Sequence, residues 1–119
     1  MTERMSAVLG ALNGGKIPAI RAYPAKKMQM PDGITATVQL KLLDEAAGQE
    51  TVLVNVLAPV SMGAAACEDA ALQTCGLLKA TGCTCRVEEC RHLKEMDMFC
   101  VCVLAEFVDG VVPEQDVEE

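Results

Sequence analysis

Seven cysteines and a single histidine define the chemistry this chain could attempt: Cys67, Cys75, Cys83, Cys85, Cys90, Cys100, Cys102 and His92. Four of the sulfurs form two Cys-x-Cys pairs, Cys83-Thr84-Cys85 and Cys100-Val101-Cys102. If both pairs lie on strands of a hairpin turning near His92-Leu93, Cys83 faces Cys102 and Cys85 faces Cys100. Four sulfurs on one sheet face invite a four-cysteine zinc or iron reading, or a thiol redox one. The geometry argues against a metal. Opposed Cβ atoms lie about 4.5–5.5 Å apart, and same-face neighbours along a strand are two rises of about 3.3 Å apart. That rectangle is too flat and too long for tetrahedral Zn–S bonds of about 2.3 Å. No C-x₂-C turn is present to fold sulfurs around an ion. The expectation is therefore no metal and no cofactor, with these cysteines forming the core face beneath a helix, since free cysteine is among the most often buried residues.

Cys90 and His92 pose a second question, because a thiol near an imidazole is how cysteine nucleophiles begin. Such a nucleophile needs its base held firmly and oriented by a third group. Both residues fall in the charged run Glu88-Glu89-Cys90-Arg91-His92-Leu93-Lys94-Glu95, expected to be an exposed loop. The acidic pairs Glu88-Glu89 and Glu68-Asp69 read as solvated faces. Gly14-Gly15-Lys16 lacks the spacing of a phosphate loop and follows a helix instead of a strand. Met28 and Met30 could serve either as an adaptable docking surface or as caps on the core. No catalytic residues are assigned, and a non-enzyme is expected.

The rest of the composition narrows the field. The chain has 119 residues, 51% of them hydrophobic, with no Trp, one Tyr, two Phe and a formal net charge of −7. That length suits one domain. An acidic balance with few rings opposes nucleic-acid binding, which needs a basic face and stacking aromatics. One histidine excludes two-histidine metal motifs within the chain. An odd cysteine count forbids a fully paired disulfide framework. Met1-Thr2-Glu3-Arg4 lacks the apolar core of a signal peptide, and no apolar run approaches the roughly 20 residues that span a bilayer. A cytoplasmic location with reduced thiols and no membrane contact is expected. Charge is uneven: residues 1–41 hold six bases and two acids, a net of +4, whereas residues 42–119 hold four bases and fifteen acids, a net of −11. That asymmetry suits either a solvated surface with an acidic tail or head-to-tail self-association.

Periodicity then supplies the elements. Met5, Val8, Leu9 and Leu12 mark one face of a helix over 2–12, capped by Thr2 or Ser6 and ended by Gly14-Gly15. Ile17 to Pro24 reads as a short extended piece, followed by a loop to the Pro31-Asp32-Gly33 turn. Residues 35–42 alternate, with Val38, Leu40 and Leu42 inward. Residues 50–57 do likewise, with Val52, Val54 and Val56 inward. Asp44 to Gln49 joins them, and Pro59 stops the second strand. A helix over 61–80 takes Ser61 as N-cap and Gly82 as stop, with a stripe of Ala64, Cys67, Ala71, Cys75 and Leu78. The segment 83–88 alternates. Met98 to Phe107 is apolar on both sides: Met98, Cys100, Cys102 and Leu104 on one, Phe99, Val101, Val103, Ala105 and Phe107 on the other. Such a strand must be covered on each face. The sum is a single α+β domain over residues 1–108, with two hairpins flanking one main helix on an antiparallel or mixed sheet, and an acidic tail over 109–119.

This order resembles the small tail-terminator (tail-completion or neck) proteins of long-tailed bacteriophages and prophages. The resemblance runs through the helix Met5–Leu12, Ile20-Arg21-Ala22-Tyr23-Pro24, the hairpin 35–57, the helix opening Met62-Gly63-Ala64-Ala65-Ala66-Cys67-Glu68-Asp69-Ala70-Ala71, and Leu77-Leu78-Lys79-Ala80-Thr81-Gly82 leading to Asp97-Met98-Phe99. The cysteine richness departs from it. The resemblance implies a structural subunit that forms a ring, often a hexamer, between the tail tube and the head connector, in the host cytoplasm and then the virion tail. It implies that Phe99, Val101, Val103 and Phe107 are covered by the helix Met5–Leu12 or by a neighbouring subunit.

Overall fold

A computed structural model describes residues 2–22 and 33–108. The Met28–Met30 loop, the Pro31-Asp32 half of the turn and the acidic tail lie outside the described residues.

The chain runs α1 (Glu3–Gly14), β1 (Ala19–Arg21), β2 (Thr35–Asp44), β3 (Gln49–Pro59), a 3₁₀ turn (Val60–Met62), α2 (Ala64–Lys79), β4 (Thr84–Leu93) and β5 (Met98–Val108). The five strands form one mixed sheet in the order β1-β2-β3-β5-β4, in which β1 joins β2 in parallel and every other pair is antiparallel. The fold is α+β, with both helices on one side of the sheet.

Helix α1 begins where Thr2 accepts a hydrogen bond from the Met5 N–H at 3.1 Å, so Thr2 and not Ser6 is the cap. Its inward face is Met5, Val8 and Leu12, all buried. Asn13 at its end donates to the Ala19 carbonyl at 3.1 Å and accepts from the Ala19 N–H at 3.0 Å. One side-chain amide thus satisfies both backbone groups of a residue on the sheet's outermost strand. The Gly15 carbonyl accepts from Gln73 Nε2 at 3.2 Å, tying α1 to α2.

Helix α2 starts later than its sequence suggests. Ser61 lies in the 3₁₀ turn, and the N-cap is Gly63, whose φ of +89° favours glycine. The Gly63 N–H closes that turn on the Val60 carbonyl at 3.0 Å. The buried stripe is Cys67, Ala70, Ala71, Thr74 and Leu78. Ala64 and Cys75 from the expected stripe are only half-buried. Small residues dominate this face, so the helix backbone comes close to the sheet, and Cys67 Sγ donates to the Val56 carbonyl at 3.3 Å.

The core lies between this helix layer and the sheet. Val38, Val52, Val54, Val56 and Val103 are completely buried, and Val101 nearly so. Burying such a side chain contributes about 1.5–3 kcal/mol. Strand β2 departs from expectation at its far end. Leu40 and Leu42 are 38% and 45% exposed, although their alternation reads as inward. The register shift between them leaves Leu40 opposite Val52 on the helix side but sets Leu42 opposite Thr51 on the other face, past Val38 where the pairing with β1 ends.

The last hairpin also differs. The charged run from Glu88 to Leu93 is strand rather than loop, and the turn falls at residues 94–97, with Asp97 at φ +53°. A register shift between Val87 and Cys90 places Glu88 and Glu89 in a bulge. As an edge strand, β4 tolerates charged side chains because half its backbone is unpaired. The consequence for the cysteines is decisive. Cys85 pairs with Ala105, and Cys100 pairs with Arg91.

Val101, Val103 and Phe107 are therefore buried within a single chain, packed with α1 and α2 residues, and Phe99 lies half-buried against the same cluster. Of the two covers expected for this surface, the chain's own helices supply it. A substitution of Val101 to Asp should unfold the chain, not release a monomer from an assembly. A buried unpaired charge costs about 3–5 kcal/mol, a large part of a small domain's stability. Far-ultraviolet circular dichroism checks this, and a folded, monomeric V101D chain would contradict the placement.

Candidate functional site

The sheet divides the thiols expected to share one face. Cys83 and Cys85 lie on the helix side, in the main core cluster. Cys100 and Cys102 lie on the opposite side with Leu57 and Met98, where Leu53 and Leu93 pack beside them. The four-sulfur set Cys83, Cys85, Cys100 and Cys102 does not exist as a constellation. Among the described residues no group of three or more His, Cys, Asp or Glu side chains converges as a metal site.

Two sulfur arrangements result. On the helix side, Cys83 Sγ lies 3.7 Å from Cys85 Sγ. Cys83 Sγ also donates to the Leu78 carbonyl at 3.1 Å, and Thr81 Oγ1 donates to Cys83 Sγ at 3.8 Å. Cys85 Sγ donates to the Cys75 carbonyl at 3.8 Å. These contacts tie the C-terminal turn of α2 to the start of β4. The neighbouring Cys85 thiol, as a donor, draws the Cys83 pKa down to about 7, helped by Thr81 and by the positive charge of Lys79. Cys85 is pushed up in turn, because its proton is held by the Cys83 sulfur and it is partly desolvated. Farther along the same side, burial pushes Cys67 up to about 11, with Cys90 adding to the effect.

On the helix-free side, Asn55 gathers the other pair. Its Oδ1 accepts from Cys102 Sγ at 3.1 Å and from Cys100 Sγ at 3.8 Å. Arg91 Nη2 approaches Cys102 Sγ at 3.7 Å. Burial and the adjacent Cys102 push Cys100 up to about 12, against a smaller opposing effect of Arg91. A groove of about 340 Å³ runs over this face, with Ile20 and Ala22 at one end, Asn55, Leu57 and Cys100 in its floor, and Arg91 and Leu93 at the other end. The centre of this face is apolar, with Leu57, Met98, Cys100 and Leu104 buried although no helix covers them, and Thr37, Gln39, Thr51 and Glu106 lie around it on the same side.

His92 is exposed on β4. Its ring tilts at 48° to Phe99 with centroids 5.4 Å apart, and its Nε2 lies 3.9 Å from Asp97. Cys90 pairs opposite Val101, two strand positions away and pointing to the helix side. Nothing brings Cys90 into hydrogen-bonding reach of His92 among the contacts described.

Sequence reasoning misses three polar residues. Asn55 reads as an ordinary outward position on an amphipathic strand, and Arg91 falls in the charged run expected to be an exposed loop. Glu50 alternates as a strand start, yet it is 4% exposed and accepts from Thr2 Oγ1. It borders a second depression, of about 370 Å³, lined with Glu3, Arg4, Asp44 and Glu45. Arg4 there stands 5.1 Å over the Phe107 ring. The signal for Glu50 is faint: an acid at a position that alternation assigns to the buried side.

The thiols differ enough to be told apart. Cys100, held neutral and buried, should resist iodoacetamide in the folded chain at about pH 8, near the ordinary thiol pKa, and should be labelled fully after unfolding in guanidinium. Mass-spectrometric mapping of both samples checks this. Rapid native labelling of Cys100 would contradict it.

The chain matches no protein-family model and no curated protein sequence.

Proposed function

We propose that this chain is a non-enzymatic assembly protein of the phage or prophage tail-terminator type, a ring subunit between the tail tube and the head connector. One observation carries the reading: the centre of the helix-free face, on β3 and β5, holds a second apolar cluster besides the core beneath the helices. An antiparallel sheet with one free face normally alternates apolar with polar residues, the polar ones facing water. Here the helix-free side of β3 and β5 carries Leu53, Leu57, Met98, Cys100 and Leu104 at its centre instead, and of these Leu53 alone stays half-exposed. We take this apolar centre, with the groove over Asn55 and Leu57, as the surface that another copy meets.

The expected ring contact moves accordingly. Phe99, Val101, Val103 and Phe107 belong to the subunit's own core, and the helix-free face takes their place as the assembly surface. The element order that carries the resemblance recurs in the structure, from α1 through the β2–β3 hairpin and α2 to the β4–β5 hairpin. The excess of bases before residue 42 and of acids after it suits a head-to-tail contact, which closes into a ring when the rotation allows. The partners of this reading are further copies, the tail tube and the head connector. It involves no sequence-specific nucleic-acid contact and no membrane, and the site of action is the host cytoplasm and then the virion tail. Among the described residues no helix is long and apolar enough to cross a bilayer.

The alternative, a cysteine-rich metal-binding or thiol redox protein, divides in two. Its metal form loses the four-sulfur ligand set, which the sheet separates. Its redox form keeps one pair in contact, Cys83 and Cys85 at 3.7 Å.

Sedimentation tests the assembly reading. The chain should exceed its 12.6 kDa monomer mass across the micromolar range. Replacing the half-buried Leu53 with Lys should shift it to monomer with an unchanged circular dichroism spectrum. A native chain that stays monomeric throughout, alone and with tail tubes added, would sink the reading.

A further inference from the structure

We infer that Cys83 and Cys85 form an oxidisable dithiol, a site at which a small-molecule disulfide such as glutathione disulfide closes a reversible bond between the two sulfurs. The inference does not depend on whether the chain assembles. It stands on three structural facts. The sulfurs already lie 3.7 Å apart, on the same side of the chain. Cys85 is half-buried, so an oxidant can reach it, while Cys83 is buried behind it and out of reach. Cys83 precedes β4 and takes no part in the ladder, which begins at Thr84 opposite Glu106. It follows Gly82, whose φ is +96°. The residue that must move to shorten the contact is therefore the one the sheet does not hold.

The steps balance as a thiol–disulfide exchange. Once the pair has lost its first proton, Cys85 passes its own to the Cys83 sulfur. It then attacks one sulfur of the oxidant as thiolate and expels the first glutathione thiolate, after which Cys83 gives that proton up to solvent. The Cys83 thiolate then attacks Cys85 Sγ, forming the Sγ–Sγ bond and expelling the second. Two thiols are oxidised, one external disulfide is reduced, and the two protons end on the two glutathione molecules. Thr81 Oγ1 and the charge of Lys79 support the Cys83 thiolate, and Cys75 is the neighbouring thiol that opposes charge on Cys85. Two residues on one face of an extended chain place their Cα atoms about 6.6 Å apart, near the upper limit of disulfide geometry. A bond closed across that span is readily reduced, which makes the modification reversible.

No other pair combines these features. Cys100 and Cys102 sit within the β5 ladder, held on both sides by β3 and β4. Closing the Cys83–Cys85 bond would also remove the two S–H donors that reach the Leu78 and Cys75 carbonyls, loosening the end of α2 from β4.

The test treats the native chain with excess glutathione disulfide and maps the products by peptide mass spectrometry. The expected product is two hydrogens lighter, with the bond inside the peptide holding Cys83 and Cys85, and is restored by dithiothreitol. It should persist in a Cys100→Ser/Cys102→Ser chain and vanish in Cys85→Ser. Its rate of formation should rise with pH until about 7 and level off beyond, following the first proton lost by the pair. A native chain left unmodified at both residues, a glutathione adduct on Cys85 that never resolves, or a bond mapped to any other pair would overturn the inference. Because the mapping is made on native protein, its outcome decides the matter even where a serine variant fails to fold.

Discussion

Strand β5 is the constraint on which the rest of the structure depends. Its eleven residues lie between β3 and β4, paired along their whole length with β3. Ala58, Val56, Val54 and Val52 oppose Phe99, Val101, Val103 and Ala105 on the helix side, while Leu57, Asn55 and Leu53 oppose Cys100, Cys102 and Leu104 on the other. A strand buried on both faces gains transfer free energy twice along the same backbone, and it can do so only if both faces are closed to water. The small face of α2 exists to close the first. Ala70, Ala71, Cys67 and Thr74 let the helix sit low on the sheet, and α1 fills the remaining space with Met5, Val8 and Leu12.

The cysteines are best understood within that packing. Cys67, Cys83, Cys100 and Cys102 are buried, and each places its S–H near a carbonyl or an amide oxygen. Burial raises Cys67 and Cys100 well above the ordinary thiol range. Such sulfurs fill space as small hydrophobes with a weak donor. Cys83 stands apart because Cys85 donates to it, and two sulfurs in contact stabilise a negative charge on one at the expense of the other. That contact lies where α2 gives way to β4, with Cys83 just ahead of the ladder and Cys85 in it opposite Ala105.

Much of the fold is legible in the sequence because strong alternation and capping leave few options. The three valines of β3, the Thr2 cap and the two-faced strand β5 all follow from residue type and spacing. The sulfur geometry is not legible, for a specific reason. Strand pairing has a period of two, so one extra residue in a bulge sends every side chain beyond it to the other face. Reading Glu88–Leu93 as loop moves the turn from residues 94–97 to His92-Leu93. That displacement alone keeps the parity, since Leu93 opposite Met98 would still set Cys85 opposite Glu106; the hidden bulge at Glu88 and Glu89 is what moves Cys85 opposite Ala105, away from the face of Cys100 and Cys102. The charged residues of β4 belong to an edge strand, where charge is compatible with pairing, and composition alone does not separate that from a loop. Leu42 misleads in the same way: the bulge after Leu40 puts it opposite Thr51, on the face opposite to the one alternation assigns.

Those edges bear on how the chain could associate. A sheet with open edges can grow by strand addition, and natural sheets prevent this with charges, bulges and short strands. All three devices occur here. On one side β4 carries Arg86, Glu88, Glu89 and Arg91 and a bulge between Val87 and Cys90. On the other, β1 is only three residues long, and Asn13 occupies the N–H and carbonyl of Ala19. Beyond β1 the outer half of β2 is bulged between Leu40 and Leu42 and carries Lys41. Strand addition is thus discouraged at each end of the sheet, while its helix-free face has the half-buried Leu53 beside a buried apolar cluster, with no helix above it. The proposed assembly accordingly joins copies through a face and not through an edge. A face contact between dissimilar surfaces lets each subunit turn by a fixed angle relative to the last, which is the condition for closing a ring.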